Sequence, residues 1–309
     1  MKILVTGSAG FVGRRLFDAL HCLGHDAIRL HRLTVGVNGL LFSDGSDVAW
    51  SSATEKADSV IHLAARVHVM DDKAADPLAE FRRVNVDGTL NLARQAAAAG
   101  IKRFVFMSSV KVNGESTQVG HPFSEVDVPN PHDAYGQSKS EAEHGLREIA
   151  TETGMEVVII RPPLVYGPGV KANFAALTRA VQKGWPLPLG AVHNQRSLVA
   201  LDNLVDFVVV CTIHPQAANQ TFMVSDGHDL SITELVRGLA IASKIPHRFL
   251  SVPVWLLEAG AILLGKRASV QRLCGNLQVD ISKARYLLGW TPPITVDEGL
   301  RRAVTGSGT

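Results

Sequence analysis

Two groups of residues, about 120 positions apart, have types and spacings that fit one reaction. Gly7, Gly10 and Gly13 follow a short apolar run, and Tyr135 precedes Lys139 by four positions. Residues four apart share one face of a helix, so the lysine ammonium is placed to lower the pKa of the phenol. A dinucleotide held at the glycines and a tuned phenol beside it would move a hydride and a proton. The two groups together predict reduction of a carbonyl or oxidation of an alcohol.

The glycine group predicts a dinucleotide site at the first turn of the chain. Gly7 permits a tight turn, Gly10 lets a pyrophosphate approach the backbone, and Gly13 lets a helix pack closely on a strand. Amides at the helix N-terminus would then face the phosphate charge. The spacing G-x-x-G-x-x-G differs from the longer G-x-G-x-x-G fingerprint. A strand–helix turn without a ligand is the alternative, and the position between a strand and a helix favours the cofactor.

The residues after the second predicted strand bear on which dinucleotide is used. NAD sites usually place a carboxylate there for the adenosine ribose, whereas this chain has Leu30, His31 and Arg32. Arg32 is suited to the 2′-phosphate of NADP, with help from Arg14 or Arg15. The sequence therefore favours NADP(H), with NAD(H) possible. The competing interpretation is that His31 and Arg32 are ordinary solvated side chains.

Ser109 completes a candidate catalytic centre with Tyr135 and Lys139. Its hydroxyl, at the end of a predicted strand, would bond the substrate oxygen while the phenol moves the proton. Taken singly, the tyrosine and lysine are a common exposed helix pair, and Ser109 is a residue of a strand-end turn. Their order behind the glycine turn favours the catalytic interpretation.

Alternating apolar strands and helices would hold these residues. The predicted strands cover residues 3–5, 27–30, 59–65, 103–109 and 157–161, and the predicted helices cover 11–23, 81–99 and 134–153. This alternation predicts an α/β fold, a Rossmann-type doubly wound parallel sheet with a smaller C-terminal substrate-binding lobe. We expect residues 1–163 to form the dinucleotide-binding domain. Residues 164–309 would form mainly the lobe, with some segments returning to the first domain.

Composition narrows the classes of partner. The 309 residues carry a formal charge of +2 with no basic tract, which argues against nucleic acid. The three cysteines are scattered and predict neither a disulfide framework nor a metal site. The apolar run 252–265 falls short of the roughly 20 residues that span a bilayer, so we expect a buried helix packed on the lobe. The chain starts without a leader-like segment, so we expect a cytoplasmic protein with no stable membrane insertion.

Several longer motifs resemble one protein family. They are T-G-S-A-G-F-V-G at 6–13, V-I-H-L-A-A at 60–65, N-V-D-G-T at 85–89, Ser108-Ser109, Y-G-Q-S-K at 135–139 and R-P-P-L-V-Y-G-P-G at 161–169. Together they are similar to the extended short-chain dehydrogenase/reductase family, the nucleotide-sugar epimerases and dehydratases. The resemblance implies that Ser109, Tyr135 and Lys139 are catalytic.

The resemblance also implies a set of ligand contacts. We expect the cofactor to touch Gly7, Ala9, Gly10, Phe11, Val12, His31, Arg32, Leu63, Ala64, Ala65, Tyr135, Lys139, Pro162 and Val165. It implies that Pro163 also flanks the nicotinamide and that Asn85 buttresses the sheet. The lobe of such proteins usually holds a nucleoside diphosphate-sugar. The expected substrate contacts are Ser109, Lys111, Asn173, Arg196 and, evenly balanced against a structural role, Arg272.

Two reactions stay open, with a non-catalytic NADP-sensing protein as a distant third. The favoured one is reduction at C4 of a UDP-4-keto-6-deoxy-hexosamine, because the chain resembles the subgroup that makes UDP-N-acetylquinovosamine for surface polysaccharide such as O-antigen. The alternative is an NAD-dependent UDP-sugar 4-epimerase. A dehydratase is disfavoured because no acid/base carboxylate pair follows Ser109. By analogy of fold, helices 81–99 and 134–153 would form the seam of a homodimer.

The choice of dinucleotide can be tested at Arg32. We expect Arg32→Ala to weaken NADPH binding by about 10- to 100-fold, the worth of a charge-assisted hydrogen bond, and to leave NADH binding nearly unchanged. Fluorescence titration with both dinucleotides measures the two affinities, NADH being the internal control. Equal losses for both would refute a contact with the 2′-phosphate.

Overall fold

Short buried strands alternate with helices from the first residues onward. The computed structural model describes residues 1–35, 39–43, 57–67, 76–246, 249–263, 265, 270 and 273–306. The strands are β1 Lys2–Thr6, β2 Asp26–Val35, β3 Gly39–Ser43, β4 Ser59–His62, β5 Arg103–Met107, β6 Glu156–Arg161, β7 Leu164–Tyr166, β8 Leu198–Ala200 and β9 Thr221–Met223. The helices of the first half are α1 Phe11–Cys22, α2 Pro77–Arg82, α3 Gly88–Ala98 and α4 Ala134–Thr153. Those of the second half are α5 Ala172–Gln182, α6 Leu201–Ile213, α7 Ile232–Ala242, α8 Val254–Leu263, α9 Ser282–Leu288 and α10 Val296–Thr305.

Within the described ranges, seven strands form the main sheet in the order β3-β2-β1-β4-β5-β6-β9. All neighbours are parallel except β2 and β3, which pair antiparallel. The predicted Rossmann-type parallel sheet is therefore confirmed. Strands β7 and β8 form a separate parallel pair, and β9 brings the chain beyond residue 164 back to the edge of β6.

Side-chain alternation along the strands builds a core on each face of the sheet. Ile3 and Val5 of β1 pack with α1 and α6, whereas Leu4 packs with α3 and α4 on the other face. The same alternation along β5 and β6 leaves both faces buried, which is why these strands read as nearly continuous apolar runs. A third cluster around β7, β8, α5, α7 and α10 forms the core of the lobe.

The second strand is longer than its sequence prediction. The second strand runs to Val35, five residues beyond Leu30, which is the last residue that pairs with β1. The extra residues pair with β3, a hairpin that the sequence analysis missed. His31 and Arg32 thus lie inside a strand and not after one.

The predicted helix 81–99 starts earlier and is not uniform. It begins at Pro77, where the Asp76 side chain accepts a hydrogen bond from the Ala79 amide, an N-cap followed by proline. A π-helical turn, Arg83–Asp87, separates α2 from α3. Such turns insert an extra residue and recur at functional sites.

The apolar run 252–265 forms α8, but the prediction of a buried helix is only partly right. Val254 and Leu257 pack against the lobe core, whereas Trp255, Leu256 and Ile262 are exposed. Across the described residues, no helix combines the length and apolarity needed to cross a bilayer.

The packing of α1 on β1 can be tested at Gly13. A Cβ there would lie 2.1 Å from the Gly7 carbonyl oxygen, a backbone atom that cannot move aside. We expect Gly13→Ala to lower the free energy of unfolding by about 2 kcal/mol or more, measured by urea denaturation. Gly260→Ala is the control: no atom lies within 4 Å of its added Cβ, so it should be neutral or stabilising by about 0.5–1 kcal/mol. Equal effects of the two changes would contradict the close packing.

Candidate active site

The glycine turn forms a cradle in which backbone stands where side chains would otherwise be. Gly7 has φ +68°, and a Cβ on it would lie 2.7 Å from the Ala64 nitrogen. The Gly10 amide donates to the Gly7 carbonyl over 2.9 Å, and α1 begins at the next residue, Phe11. Ala9 and Gly10 are exposed, and Phe11 and Val12 are half-buried. An accessible helix N-terminus behind glycines fits the pyrophosphate of a dinucleotide.

Beside this cradle, His62 joins three elements through its two ring nitrogens. Nδ1 lies 2.7 Å from Thr6 Oγ1 and Nε2 lies 3.0 Å from Thr89 Oγ1, and Thr6 Oγ1 also accepts from the Ala64 amide. Burial, with a smaller effect of Lys139, lowers the pKa of His62 to about 3. The ring is therefore neutral and fixes the turn after β4, where Leu63, Ala64 and Ala65 are half-buried. His62 lies in the V-I-H-L-A-A motif at 60–65, from which no role for it was predicted.

The catalytic candidates come together at the carboxyl end of β5. Asp133 accepts a hydrogen bond from the Gly136 amide and so caps α4, which places Tyr135 in the first turn. The Ser109 side chain lies near enough to the phenol of Tyr135 to lower its pKa, against the larger effect of burial. The structure therefore places Ser109 and Tyr135 on the same side of the sheet, and their catalytic roles stay a prediction.

Lys139 lies one turn along the same face of α4 and is 2% exposed. Its Nζ donates to the Met107 carbonyl over 2.8 Å and stands 6.0 Å from the centre of the Tyr135 ring. Burial lowers its pKa to about 7, although Glu143 acts in the opposite direction.

The phenol does not show the lowered pKa that the sequence analysis expected. Burial, and then the charge of Asp133, raise the pKa of Tyr135, whereas the nearby Ser109 side chain lowers it. Desolvation therefore dominates the shift of this pKa, and at neutral pH the phenol is protonated.

Asn85 ties the π-helical turn to this centre. Its Oδ1 accepts from the Arg66 amide, and its Nδ2 donates to the Arg66 carbonyl and to Ser138 Oγ. The side chain thus connects the segment after β4 with α4, whereas the sequence analysis expected it to buttress the sheet.

The remaining residues that we expect to contact the cofactor lie at three places, after β6, in β7 and in β2. Pro162 is buried, and its carbonyl accepts from the Val110 amide next to Ser109. Val165, in β7, is half-buried. His31 and Arg32 pair through β2 with Ser43 and Phe42, while their side chains lie outside the described part of the structure.

The expected substrate residues have mixed positions. Lys111 forms ion pairs with Asp133 and Glu115, so it stabilises the cap of α4. Asn173 is exposed in the first turn of α5. Arg196 donates to the Gly275 carbonyl over 3.0 Å, and burial lowers its pKa. Arg272 lies outside the described residues.

Sequence reasoning missed a buried ionic cluster behind α4. Glu143 and Arg161 are 1% and 2% exposed and form a bidentate ion pair. The signal was an arginine at the end of an otherwise apolar strand, because such a charge needs a buried partner.

Comparison with known proteins identifies the family. The family model described as "NAD dependent epimerase/dehydratase family" matches residues 3–225. The chain belongs to this family. It is 53% identical to a protein of Vibrio cholerae named UDP-glucose 4-epimerase, over 97% of this chain and 94% of that protein.

Solved structures agree on the fold. The Pseudomonas aeruginosa protein RMD in complex with NADPH aligns with a TM-score of 0.75 at 23% identity, over 99% of both chains. A Bacillus cereus UDP-N-acetylglucosamine 4-epimerase aligns with a TM-score of 0.76 at 20% identity, over 99% of this chain and 98% of that one. At these identities the likeness supports the fold alone.

The lowered pKa of Lys139 predicts a pH-dependent stability. Between pH 7 and about 10.4, the ordinary lysine value, the unfolded chain binds a proton at this lysine that the folded chain does not, so folding becomes more favourable as pH rises. Relative to Lys139→Met, the wild type should gain about 1.4 kcal/mol of unfolding free energy per pH unit over this window. Urea denaturation at pH 7, 8 and 9 measures this difference. The exposed Lys102→Met is the control and should show no such slope; a flat difference for Lys139→Met would contradict the buried, easily deprotonated amine.

Proposed function

We propose that the protein is an NAD(P)-dependent oxidoreductase acting at C4 of a UDP-sugar, and that it reduces a UDP-4-keto-6-deoxy-hexosamine. The observation that carries this proposal is the placement of Tyr135 in the capped first turn of α4, one turn before the buried Lys139, which bonds the carbonyl at the end of β5. A ketone acquires negative charge on its oxygen as it is reduced, so a buried neutral phenol is suited to give that oxygen a proton.

Each of the three catalytic candidates has a distinct role in the proposed reaction. Ser109 orients the carbonyl by a hydrogen bond, and Tyr135 supplies the proton to O4. Lys139 holds the nicotinamide ribose and, when charged, favours the phenolate left behind. When bound, the nicotinamide cofactor supplies the hydride. The cradle at Gly7, Gly10 and Gly13 would take its pyrophosphate.

The binding residues divide between the two parts of the chain. We assign the cofactor to residues 1–163 and the UDP-sugar mainly to residues 164–309, with Arg196 and Asn173 toward the diphosphate. Planar guanidinium groups pair two phosphate oxygens at once, which suits Arg196 to this part. The pair of Lys111 with Asp133 argues instead for a role of Lys111 in holding α4.

The cofactor preference rests on Arg32. The family description names NAD, and the structurally similar RMD binds NADPH, so both belong to the proposal. We favour NADPH because β2 carries His31 and Arg32 where NAD sites usually carry an acid.

A UDP-sugar 4-epimerase is the second candidate. The Vibrio cholerae relative, 53% identical, carries that name, and the same three catalytic side chains would serve it. An epimerase takes a hydride from C4 and returns it, with no net use of cofactor.

One experiment separates the two reactions. The purified protein is mixed with NADPH and a UDP-4-keto-6-deoxy-N-acetylhexosamine, and the absorbance at the nicotinamide band is followed. In parallel, NMR follows UDP-glucose and UDP-N-acetylglucosamine with catalytic NAD. Stoichiometric loss of NADPH supports the reductase. Formation of the galacto isomer with no net consumption of the cofactor supports the epimerase.

Tyr135→Phe tests the proton donor. Removing the hydroxyl should lower kcat by about 100- to 10,000-fold, the usual contribution of general acid catalysis, and should leave the cofactor Kd nearly unchanged. Tyr286→Phe, at a tyrosine that is 88% exposed, is the matched control and should keep full activity. Full turnover in Tyr135→Phe would remove the proposed mechanism.

The homodimer expected from the helices at 81–99 and 134–153 stays a prediction. Size-exclusion chromatography with light scattering would give the mass of the particle in solution. Twice the 33.2 kDa of the chain is the expected result.

A further inference from the structure

A buried carboxylate, Glu143, lies on the same face of α4 as the catalytic candidates. It follows Lys139 by one helical turn and Tyr135 by two. Its oxygens accept four hydrogen bonds: from Ser108 Oγ over 2.6 Å, from Arg161 Nε and Nη2 over 2.9 and 2.6 Å, and from Arg147 Nη2 over 3.0 Å. The carboxylate is therefore fully satisfied although it is 1% exposed.

The partners of Glu143 stand at the ends of two neighbouring strands. Arg161 is the last residue of β6, and Ser108 follows β5 directly. Arg161 Nη1 also donates to Asn113 Oδ1 over 3.0 Å, and Asn113 Nδ2 donates to the Ser124 carbonyl. One ionic cluster thus joins α4, β5, β6 and the segment that follows Ser109.

A buried ionic cluster contributes little net free energy to the stability of a fold. Taking two charges out of water costs several kcal/mol per ion, and apolar residues of equal volume often serve stability as well. Its position suggests a different role, because Ser108, which bonds Glu143, stands between Met107, whose carbonyl bonds Lys139, and Ser109.

We propose that Glu143 is a positioning residue that locks the Tyr135–Lys139 face of α4 to the strand ends carrying Ser109. The hydrogen bond of Lys139 shows which distance Glu143 would keep, the one between α4 and β5. The Lys139 Nζ reaches the Met107 carbonyl only if α4 keeps its present distance from β5, and Ser108 fixes that distance one residue further along. The proposal rests on the proposed function only in its kinetic test.

The surroundings of Lys139 supply a readout that needs no turnover. The charged and titratable groups around it are His62 on β4, Tyr135 and Glu143 on α4, and, on the far side of Glu143, Arg161 on β6. Removal of the Glu143 charge leaves Arg161 uncompensated. Both changes disfavour the ammonium, so the pKa of Lys139 should fall.

Three variants test the lock. Glu143→Gln keeps the shape and removes the charge, and Ser108→Ala removes only the link to β5. The double variant Glu143→Leu, Arg161→Met replaces the ion pair by apolar side chains, which protects the fold while it removes the lock. The control is Glu156→Gln, because Glu156 pairs with Arg103 across the same two strands at their opposite ends.

The first measurement is steady-state kinetics on the folded protein, with unfolding followed in parallel. A displacement of about 1 Å in a catalytic group costs about 100-fold in rate. We therefore expect kcat to fall about 100-fold in Glu143→Gln and in the double variant, and roughly tenfold in Ser108→Ala, with KM values and the Kd for cofactor nearly unchanged. Glu156→Gln should keep the wild-type kcat whatever it does to stability.

The second measurement is an NMR titration of the protein with 13Cε-labelled lysine, the Lys139 signal being assigned through Lys139→Met. We expect its midpoint to fall by about one pH unit in Glu143→Gln and to stay in Glu156→Gln. Wild-type kcat in folded Glu143→Gln, or an unchanged Lys139 midpoint, would overturn the proposal. A wild-type protein inactive on all three UDP-sugars would refute the proposed function instead, and the titration would still decide the role of Glu143.

Discussion

The contact between one face of α4 and the carboxyl ends of β4, β5 and β6 is the constraint on which the rest of the site depends. The first half of α4 is fastened by polar groups: Asp133 at the cap, Ser138 to Asn85, Lys139 to the Met107 carbonyl and Glu143 to Ser108. Hydrogen bonds have directions that apolar packing lacks, so these contacts fix the rotation and the sliding of the helix together. The phenol of Tyr135 is positioned as a result.

Burial has a second effect at this edge, since it controls which groups carry charge. His62 is held neutral, Lys139 is held close to its midpoint at neutral pH, and the phenol keeps its proton. A lysine in this condition responds strongly to any nearby charge, because a small change in field moves its proton equilibrium. Glu143 and Asp133 are therefore electrostatic neighbours of the centre as well as structural ones.

Those parts of the fold that are determined by local sequence signals could be predicted from the sequence. Helix α4 has the bounds expected, 134–153, because Asp133 caps its start and Gly154, with φ +74°, ends it. The glycine turn and the parallel strands were readable for the same reason. The π-helical turn and the Glu143–Arg161 cluster were not, because Asn85 of the turn bonds Arg66 and Ser138, and the ion pair joins α4 to β6, contacts that form only on folding. The β2–β3 hairpin is local, with Val35 opposite Gly39, and it was missed because the second strand was predicted to end at Leu30. The direction of the phenol's pKa shift was not predicted either, because it depends on burial, which a linear pattern does not show.

The π-helical turn at Arg83–Asp87 carries a consequence for how this segment can vary in length. A π turn is an α-helical turn widened by one added residue, so the loss of a single residue there would restore the α-helical repeat and remove the wide turn in which Asn85 stands. Asn85 would then leave Ser138 and the Arg66 backbone, and the joint between the segment after β4 and α4 would open. Related chains that keep this joint should therefore differ here by substitution and not by deletion. They can be recognised by the same number of residues between the positions of Phe81 and Thr89.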